Sequence, residues 1–385
     1  MSTTRAVKHR ARDAAIIVIM AVFLGVLLEI GTRVVDRLRS HRWSATKAAE
    51  FDAEIHRVLT LYRRHPFLNT APRAGASAAA FGKRASFNSQ GYRSPERPSI
   101  KPPGATRILC SGGSTTFDIS AADDAATWPW RIETTLRSRG RNVEVFNAGF
   151  PGWTSLENLI SLAIRDLDMA PDVVILYQGI NDLQPASHRP FDRQYEHGHA
   201  EIAARALGFG LRPLKWFDHS LFVEKSRELL FGEEDQWRSL RSAPVARGLI
   251  PEIPTEAVTT FKRNVRSYVS IATAAGAKVV LVTQSIRVRG KSVDADLDYL
   301  AHWIEGLEPT EASEQLDRFN EVLRCLSLEG PALLIDVAEE VPWEDGDFAD
   351  PMHFSARGSE RMATFMADSL ERSVLSGIGG ESGRS

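Results

Sequence analysis

Cysteine is scarce in this chain: two residues, Cys110 and Cys325, in a length of 385. Two cysteines build neither a disulfide framework nor a thiolate metal site. Both are expected as free thiols, Cys110 as a small core residue in an apolar run. Excess charge of either sign is lacking too. Lys and Arg total 47 against 49 Asp and Glu, a formal net charge of -2. A nucleic-acid-binding surface calls for a basic excess, so no nucleic-acid partner is expected. There is no internal repeat, no Walker-type phosphate loop and no Gly-x-Gly-x-x-Gly turn, and no cofactor is expected. His188, Asp192, His197 and His199 match no ligand spacing and read as solvated loop residues, so no metal is expected either. What remains is ordinary globular composition, 43% hydrophobic and 25% charged, long enough for one large domain or two smaller ones.

One stretch departs from that composition. Ala14 to Leu28 carries no charge and follows Arg5, Lys8, Arg10 and Arg12. Ile30, Gly31, Val34 and Val35 extend it past Glu29, and Arg33 can snorkel to headgroups. A cleaved signal peptide needs small residues at its end, which Glu29 to Val34 does not offer. The pattern predicts an uncleaved membrane anchor over 14–35, with the basic segment 1–13 in the cytoplasm and the rest of the chain outside it. A polar helix, a stalk or a packing helix, is expected over 40–65, with Phe51, Ile55, Val58, Leu59 and Tyr62 at helical spacing. Pro and Gly punctuate 66–104 as an irregular lead-in.

From residue 105 apolar runs alternate with helix patterns. Runs at 107–111, 143–146, 172–177, 278–283 and 332–336 read as buried strands. Helices are expected after 152 and over 256–275, 312–327 and 356–374. That alternation predicts a parallel sheet covered by helices on both faces. The repeat breaks over 185–254, an insertion read as a lid or substrate wall or, equally, as packed helical decoration. The residues after 375 read as a flexible tail.

Three strand ends carry chemistry. Ser111-Gly-Gly-Ser-Thr-Thr116 places Ser114 where open α/β sheets bind ligands, although a Gly-Gly-Ser turn alone is also an ordinary solvated βα turn. Gln178-Gly-Ile-Asn-Asp182 ends the third strand. Asp350-Pro-Met-His353 lies between the fifth strand and the last helix. An aspartate three residues before a histidine can hold one ring nitrogen and leave the other to take a proton from a serine.

Gly113-Ser114, Gly149 in Asn147-Ala-Gly, Gly179-x-Asn181-Asp182 and Asp350-x-x-His353 resemble, in order and spacing, the four blocks of the SGNH (GDSL-like) hydrolase family. The first block departs from Gly-Asp-Ser-Leu, and the Gly-x-Ser-x-Gly elbow of α/β-hydrolases is absent. Phe87-Asn-Ser-Gln-Gly-Tyr-Arg93 looks like the segment preceding this domain in membrane-anchored bacterial members. The resemblance covers about 105–375. It implies a three-layer α/β/α fold with a five-stranded parallel sheet of flavodoxin type. It further implies a catalytic set of Ser114, Asp350 and His353, with an oxyanion hole from Ser114 N–H, Gly149 N–H and the Asn181 side chain. Asp182 is expected to brace its loop without a catalytic role. The implied function is a serine ester hydrolase acting on an acylated carbohydrate or other ester, with acetyl or short acyl esters of an extracytoplasmic glycan as the leading substrate. The implied location is the bacterial inner membrane, with the catalytic domain on the periplasmic side. A transferase handing the same acyl group to a sugar hydroxyl, and a non-catalytic glycan-binding or assembly protein, are the alternatives.

Overall fold

Five apolar runs, each closed by turn residues, become the strands of one parallel sheet in the computed structural model. It describes residues 57–63, 65–68, 70–195, 249–287, 294–304 and 306–377, with residues 25, 27–29 and 54 besides. The chain divides into two units. One, residues 1–53 and 210–244, lies almost wholly outside the described residues. The other, residues 54–209 and 245–385, holds everything below.

The lead-in contains β1 (Tyr62–Arg63), β2 (Ala71–Pro72), β3 (Ser77–Ala80) and β4 (Lys83–Ser86). The sheet is β5 (Thr106–Gly112), β6 (Val143–Asn147), β7 (Val173–Tyr177), β8 (Lys278–Val282) and β9 (Leu333–Ile335). Its order is β6-β5-β7-β8-β9, with every neighbouring pair parallel. The helices are α1 (Ser114–Phe117), α2 (Trp128–Ser138), α3 (Ser155–Ile164), α4 (Leu183–Ser187), α5 (Thr255–Ala274), α6 (Asp294–Trp303), α7 (Ala312–Glu329), α8 (Val337–Glu340) and α9 (Ala356–Ser373).

Why the strands read as unbroken apolar runs is visible in the packing. Side chains alternate across a sheet. Ile108, Cys110, Ile175 and Val280 meet Trp128 and Ile132 of α2 and Met362 and Met366 of α9. Leu109, Val174, Leu176 and Leu281 meet Leu162 of α3, Phe261 of α5 and Phe319 of α7. Both faces are therefore covered, as alternating strands and helices require. Side-chain caps fix several helix starts. The Thr154 and Glu157 capping box opens α3, Thr127 caps α2 ahead of Pro129, and Ser355 accepts from Gly358 N at the start of α9. Cys110 is buried in β5, where burial pushes its thiol pKa up; Cys325 is exposed on α7, and both thiols are free.

The sheet's edges differ. On β6, Val145 N donates to Glu133 Oε2 (2.7 Å), Asn147 N donates to Ser94 Oγ (2.8 Å), and Asn147 O accepts from Arg93 N (3.0 Å). The other edge, β9, is three residues long.

Three expectations need correction. The lead-in is not wholly irregular. β1 pairs with β2, and β3 and β4 form a hairpin joined by Phe81 and Gly82. Its strands are made of Ala, Ser, Lys and Arg, which carry little β preference, so periodicity did not show them. The helix expected to 65 ends sooner, because Tyr62 and Arg63 belong to β1. His188 is not solvated but buried, at the end of α4. His197 and His199, most of the 185–254 insertion, the segment 1–13 and all but four residues of the 14–35 anchor lie outside the described residues. Among the described residues no helix is long and apolar enough to cross a membrane.

Arg93, which closes the Phe87–Arg93 run, pins the lead-in to the sheet. It is 1% exposed. Nε donates to Asp124 Oδ1 (2.7 Å), Nη1 to Phe117 O (2.9 Å) and Asp118 O (3.1 Å), and Nη2 to Arg84 O (3.0 Å). One side chain thus links hairpin, α2 approach and the helix that begins at Ser114.

Candidate active site

Ser114 is the first residue of α1, directly after β5, so its N–H has no acceptor within the helix. Asn181 follows β7, the strand beside β5. The two flank the point where the strand order reverses, the usual ligand crevice of such sheets. Asp350 and His353 come from the loop ahead of α9. That loop is closed by Ala349 N to His353 O (2.8 Å) and held from outside by Arg287 N to Pro351 O (2.9 Å).

The serine and histidine lie 239 residues apart in sequence, yet His353 Nε2 is 2.7 Å from Ser114 Oγ. His353 Nδ1 is 2.9 and 2.8 Å from the two oxygens of Asp350. Asp350 Oδ1 also accepts from Met352 N (2.9 Å) and His353 N (3.0 Å), a turn that fixes the carboxylate before the ring reaches it. Burial raises the Asp350 pKa, but the His353 hydrogen bond and charge and the two N–H groups outweigh it and hold the carboxyl below its ordinary value. An ionised carboxylate only accepts, so Nδ1 carries the proton and Nε2 accepts from the Ser114 hydroxyl. Tyr299 O–H reaches Asp350 Oδ2 at 3.4 Å.

Asn181 Nδ2 donates to Trp153 O (2.9 Å), which sets its amide plane. A Cβ on Gly113 would lie 2.2 Å from that nitrogen, so only glycine lets the amide sit beside the Ser114 turn. Asp182 braces the same loop from below. It accepts from Ser155 N (3.0 Å) and Gln178 Nε2 (2.8 Å), and burial raises its pKa to about 7 against those bonds.

Gly149 is the one expected site residue that the structure places elsewhere. Its N–H donates to Asn147 Oδ1 (3.0 Å), and a Cβ there would lie 2.3 Å from Phe117 N. It is a packing glycine beneath α1, away from the cavity. Gly152, three residues on and at φ +82°, lines the cavity with Ser114, Asn181, Asp350 and His353, and its N–H has no acceptor among the described residues. Sequence reasoning also passed over Gln284, after β8. It accepts from Ile180 N (2.8 Å) and donates to Thr115 Oγ1 (3.0 Å), tying the Asn181 loop to the Ser114 turn. Its signal was a polar triplet, Thr283-Gln-Ser285, ending an apolar strand.

Arranged this way, the groups can deprotonate a hydroxyl and stabilise an oxyanion beside it. The GDSL-like Lipase/Acylhydrolase family model matches residues 110–361. Among solved structures, a lipase/acylhydrolase from Enterococcus faecalis is 16% identical, with 69% of this chain and 96% of that chain covered and a TM-score of 0.41. A catalytic mutant of Axe2, an acetylxylan esterase from Geobacillus stearothermophilus, is 13% identical, with 71% and 95% covered and a TM-score of 0.39. Curated proteins give no match.

Proposed function

The chain belongs to the GDSL-like lipase/acylhydrolase family, and we propose that it hydrolyses esters through an acyl-enzyme formed on Ser114. Ser114 Oγ attacks the ester carbonyl carbon while His353 Nε2 takes the hydroxyl proton. Asp350 keeps the ring oriented and offsets its positive charge. The carbonyl oxygen, now anionic, accepts from Ser114 N–H, Gly152 N–H and the Asn181 amide, Gly152 taking the place expected of Gly149. His353 then protonates the departing alcohol. Water attacks the acyl-enzyme with His353 as base, and the acid leaves. Every atom in the cycle is supplied by ester and water, and no cofactor enters it.

The observation that carries this reading is the continuous line from Asp350 through both nitrogens of His353 to Ser114 Oγ, at 2.8 and 2.7 Å. An assembled line of this kind speaks against an idle, purely glycan-binding site. The substrate side of the reading is an acyl ester on an extracytoplasmic glycan, with residues 14–35 as anchor, the bacterial inner membrane as location and the catalytic domain on the periplasmic face. The topology rests on the uncharged run after four basic residues, and the glycan on that topology together with the family resemblance. The acetyl or short acyl group of the sequence reading needs little room beside Ser114.

Release of p-nitrophenol from its acetate and longer acyl esters by the full-length chain, with and without sugar acceptors, tests the activity. Ser114→Ala and His353→Ala should each lower turnover by at least about 10³-fold with the fold retained. A folded Ser114→Ala protein with undiminished turnover would sink the mechanism. Acyl transfer to a sugar in preference to water would convert the enzyme from hydrolase to transferase. A reporter fused at residue 385 that is active only in the cytoplasm would overturn the topology.

A further inference from the structure

We propose that the segment ahead of the family domain builds an acyl pocket, and that this pocket takes an apolar chain of medium length instead of an acetyl group. The inference rests on Ser114 being the nucleophile. A cavity of about 520 Å³ opens at Ser114, His353 and Asn181 and runs to the β3–β4 hairpin. The family match begins at residue 110, so Leu61, Ala78, Ala80 and Phe81, which line the cavity, stand outside the family domain.

Its walls suit hydrocarbon. Ala78 and Ala80 lie two residues apart on one face of β3, and both line the cavity; Ala79, between them, is exposed and does not. Their short side chains leave the space that larger residues would fill. Arg93 reaches the cavity, but its donors already serve Asp124 and three carbonyls. Lys83 and Arg84 are exposed and sit at the rim. A sugar seated here would bury hydroxyls against carbon, at a cost an alkyl chain does not incur. In an acylated glycan the alkyl part is the acyl group.

Size points the same way. An acetyl group fills roughly the space of two waters, ~60 Å³. The 520 Å³ cavity has room for on the order of ten methylenes, each about as large as a water. Apolar surface reaches the mouth as well, beside Lys83 and Arg84: Phe81, Ile119 and Trp303 are 47%, 37% and 42% exposed there. Phe81 holds φ +51° in a two-residue turn with Gly82 at φ +72°, a position that ordinarily goes to Asn, Asp or Gly. A bulky side chain in the left-handed region is uncommon, and here it places an aromatic ring at the opening of the pocket.

The test is kcat/KM of the full-length chain on p-nitrophenyl acetate, butyrate, octanoate and decanoate, below their micelle concentrations. Burial of one methylene is worth about a fourfold gain, so octanoate should exceed acetate by on the order of a hundredfold or more. Ala80→Trp should reduce the octanoate-to-acetate ratio by about tenfold or more, whereas Ala79→Trp should leave the ratio in place. If circular dichroism shows Ala80→Trp unfolded, Ala80→Val replaces it, with a smaller reduction. A ratio at or below one in the unmodified chain, or equal ratios in the position 79 and 80 variants, overturns the pocket. Calorimetric titration of Ser114→Ala with sodium decanoate reads the pocket independently of turnover. Binding that is lost on adding Ala80→Trp supports it, and absence of binding overturns it. Decanoate binding without turnover of any ester would overturn the hydrolase reading and leave the pocket standing.

Discussion

Arg93→Ala should destabilise the protein more than almost any other single change ahead of the sheet. The guanidinium is 1% exposed and makes four hydrogen bonds, one of them to a carboxylate that is 17% exposed. Its carbon also lies 4.3 Å from the centre of the Phe117 ring. Removing one partner of a buried ion pair costs about 3–5 kcal/mol. Each carbonyl left without a donor can add about 1–3 kcal/mol. These terms do not sum, because they share one side chain and water can enter the space it leaves. The residual exposure of Asp124 trims the charged part further. Asp124 keeps Ser86 N (3.1 Å), Asp118 O keeps Ala121 N (3.0 Å) and Phe117 O keeps Asn147 Nδ2 (3.4 Å), so the net expectation is about 3 kcal/mol, dominated by the lost charge partner of Asp124. For a protein of this size that is a fall in Tm of roughly 4 °C. Urea and thermal unfolding of the full-length chain, followed by circular dichroism, would read it. Arg93→Lys should fall between the two, since an ammonium can keep Asp124 but cannot span three carbonyls. Because Phe117 O and Asp118 O lie at the end of the helical turn that starts at Ser114, ester turnover should fall as well. A loss of stability below about 1 kcal/mol would refute the claim that Arg93 ties hairpin to helix.

Gly113→Ala should lower kcat by about 10²–10³ with little change in KM, because the new methyl collides with the Asn181 amide and displaces an oxyanion donor. Steady-state kinetics decide it, and an unchanged kcat would remove Asn181 from the oxyanion site. Asp182 adds a pH dependence of stability. Burial lifts its folded pKa from 3.8 to about 7, so the native state retains a proton that the unfolded chain releases. Stability from this group is accordingly withdrawn as pH rises from about 4 to 7. Asp182→Asn should flatten that part of a urea-midpoint-against-pH profile, and an unaltered slope would refute the assignment.

The strands and their helices were legible because the sheet is buried on both faces, which turns Asp172 to Tyr177 and Lys278 to Thr283 into plain apolar runs. The serine, asparagine and aspartate–histidine pair each end a strand or open a helix on one edge, but their roles were legible because their order and spacing resemble the four blocks of the SGNH family. The loop Asn147-Ala-Gly-Phe-Pro-Gly152 was not, because it holds two glycines. Only the backbone tells which one packs under α1 and which faces the cavity. The hairpin escaped notice since Ala-rich strands have neither alternation nor β-branched residues to mark them. His188 looked solvated in a polar stretch, but α4 turns it inward.

The closed edge of β6 has a consequence for how the protein behaves in company. An unpaired strand edge is a template on which another chain can add a strand. Here Glu133 and Ser94 occupy the outward N–H groups, Arg93 N takes a carbonyl, and the opposite edge is too short to recruit much. Two of those three blocking groups, Ser94 and Arg93, belong to the lead-in. The segment that walls the cavity thus also shields the sheet from intermolecular pairing. Cleavage or loosening there uncovers the Asn147 end of this five-residue strand to self-association, while Glu133 and Arg137 of α2 still hold Val145 N and Val143 O.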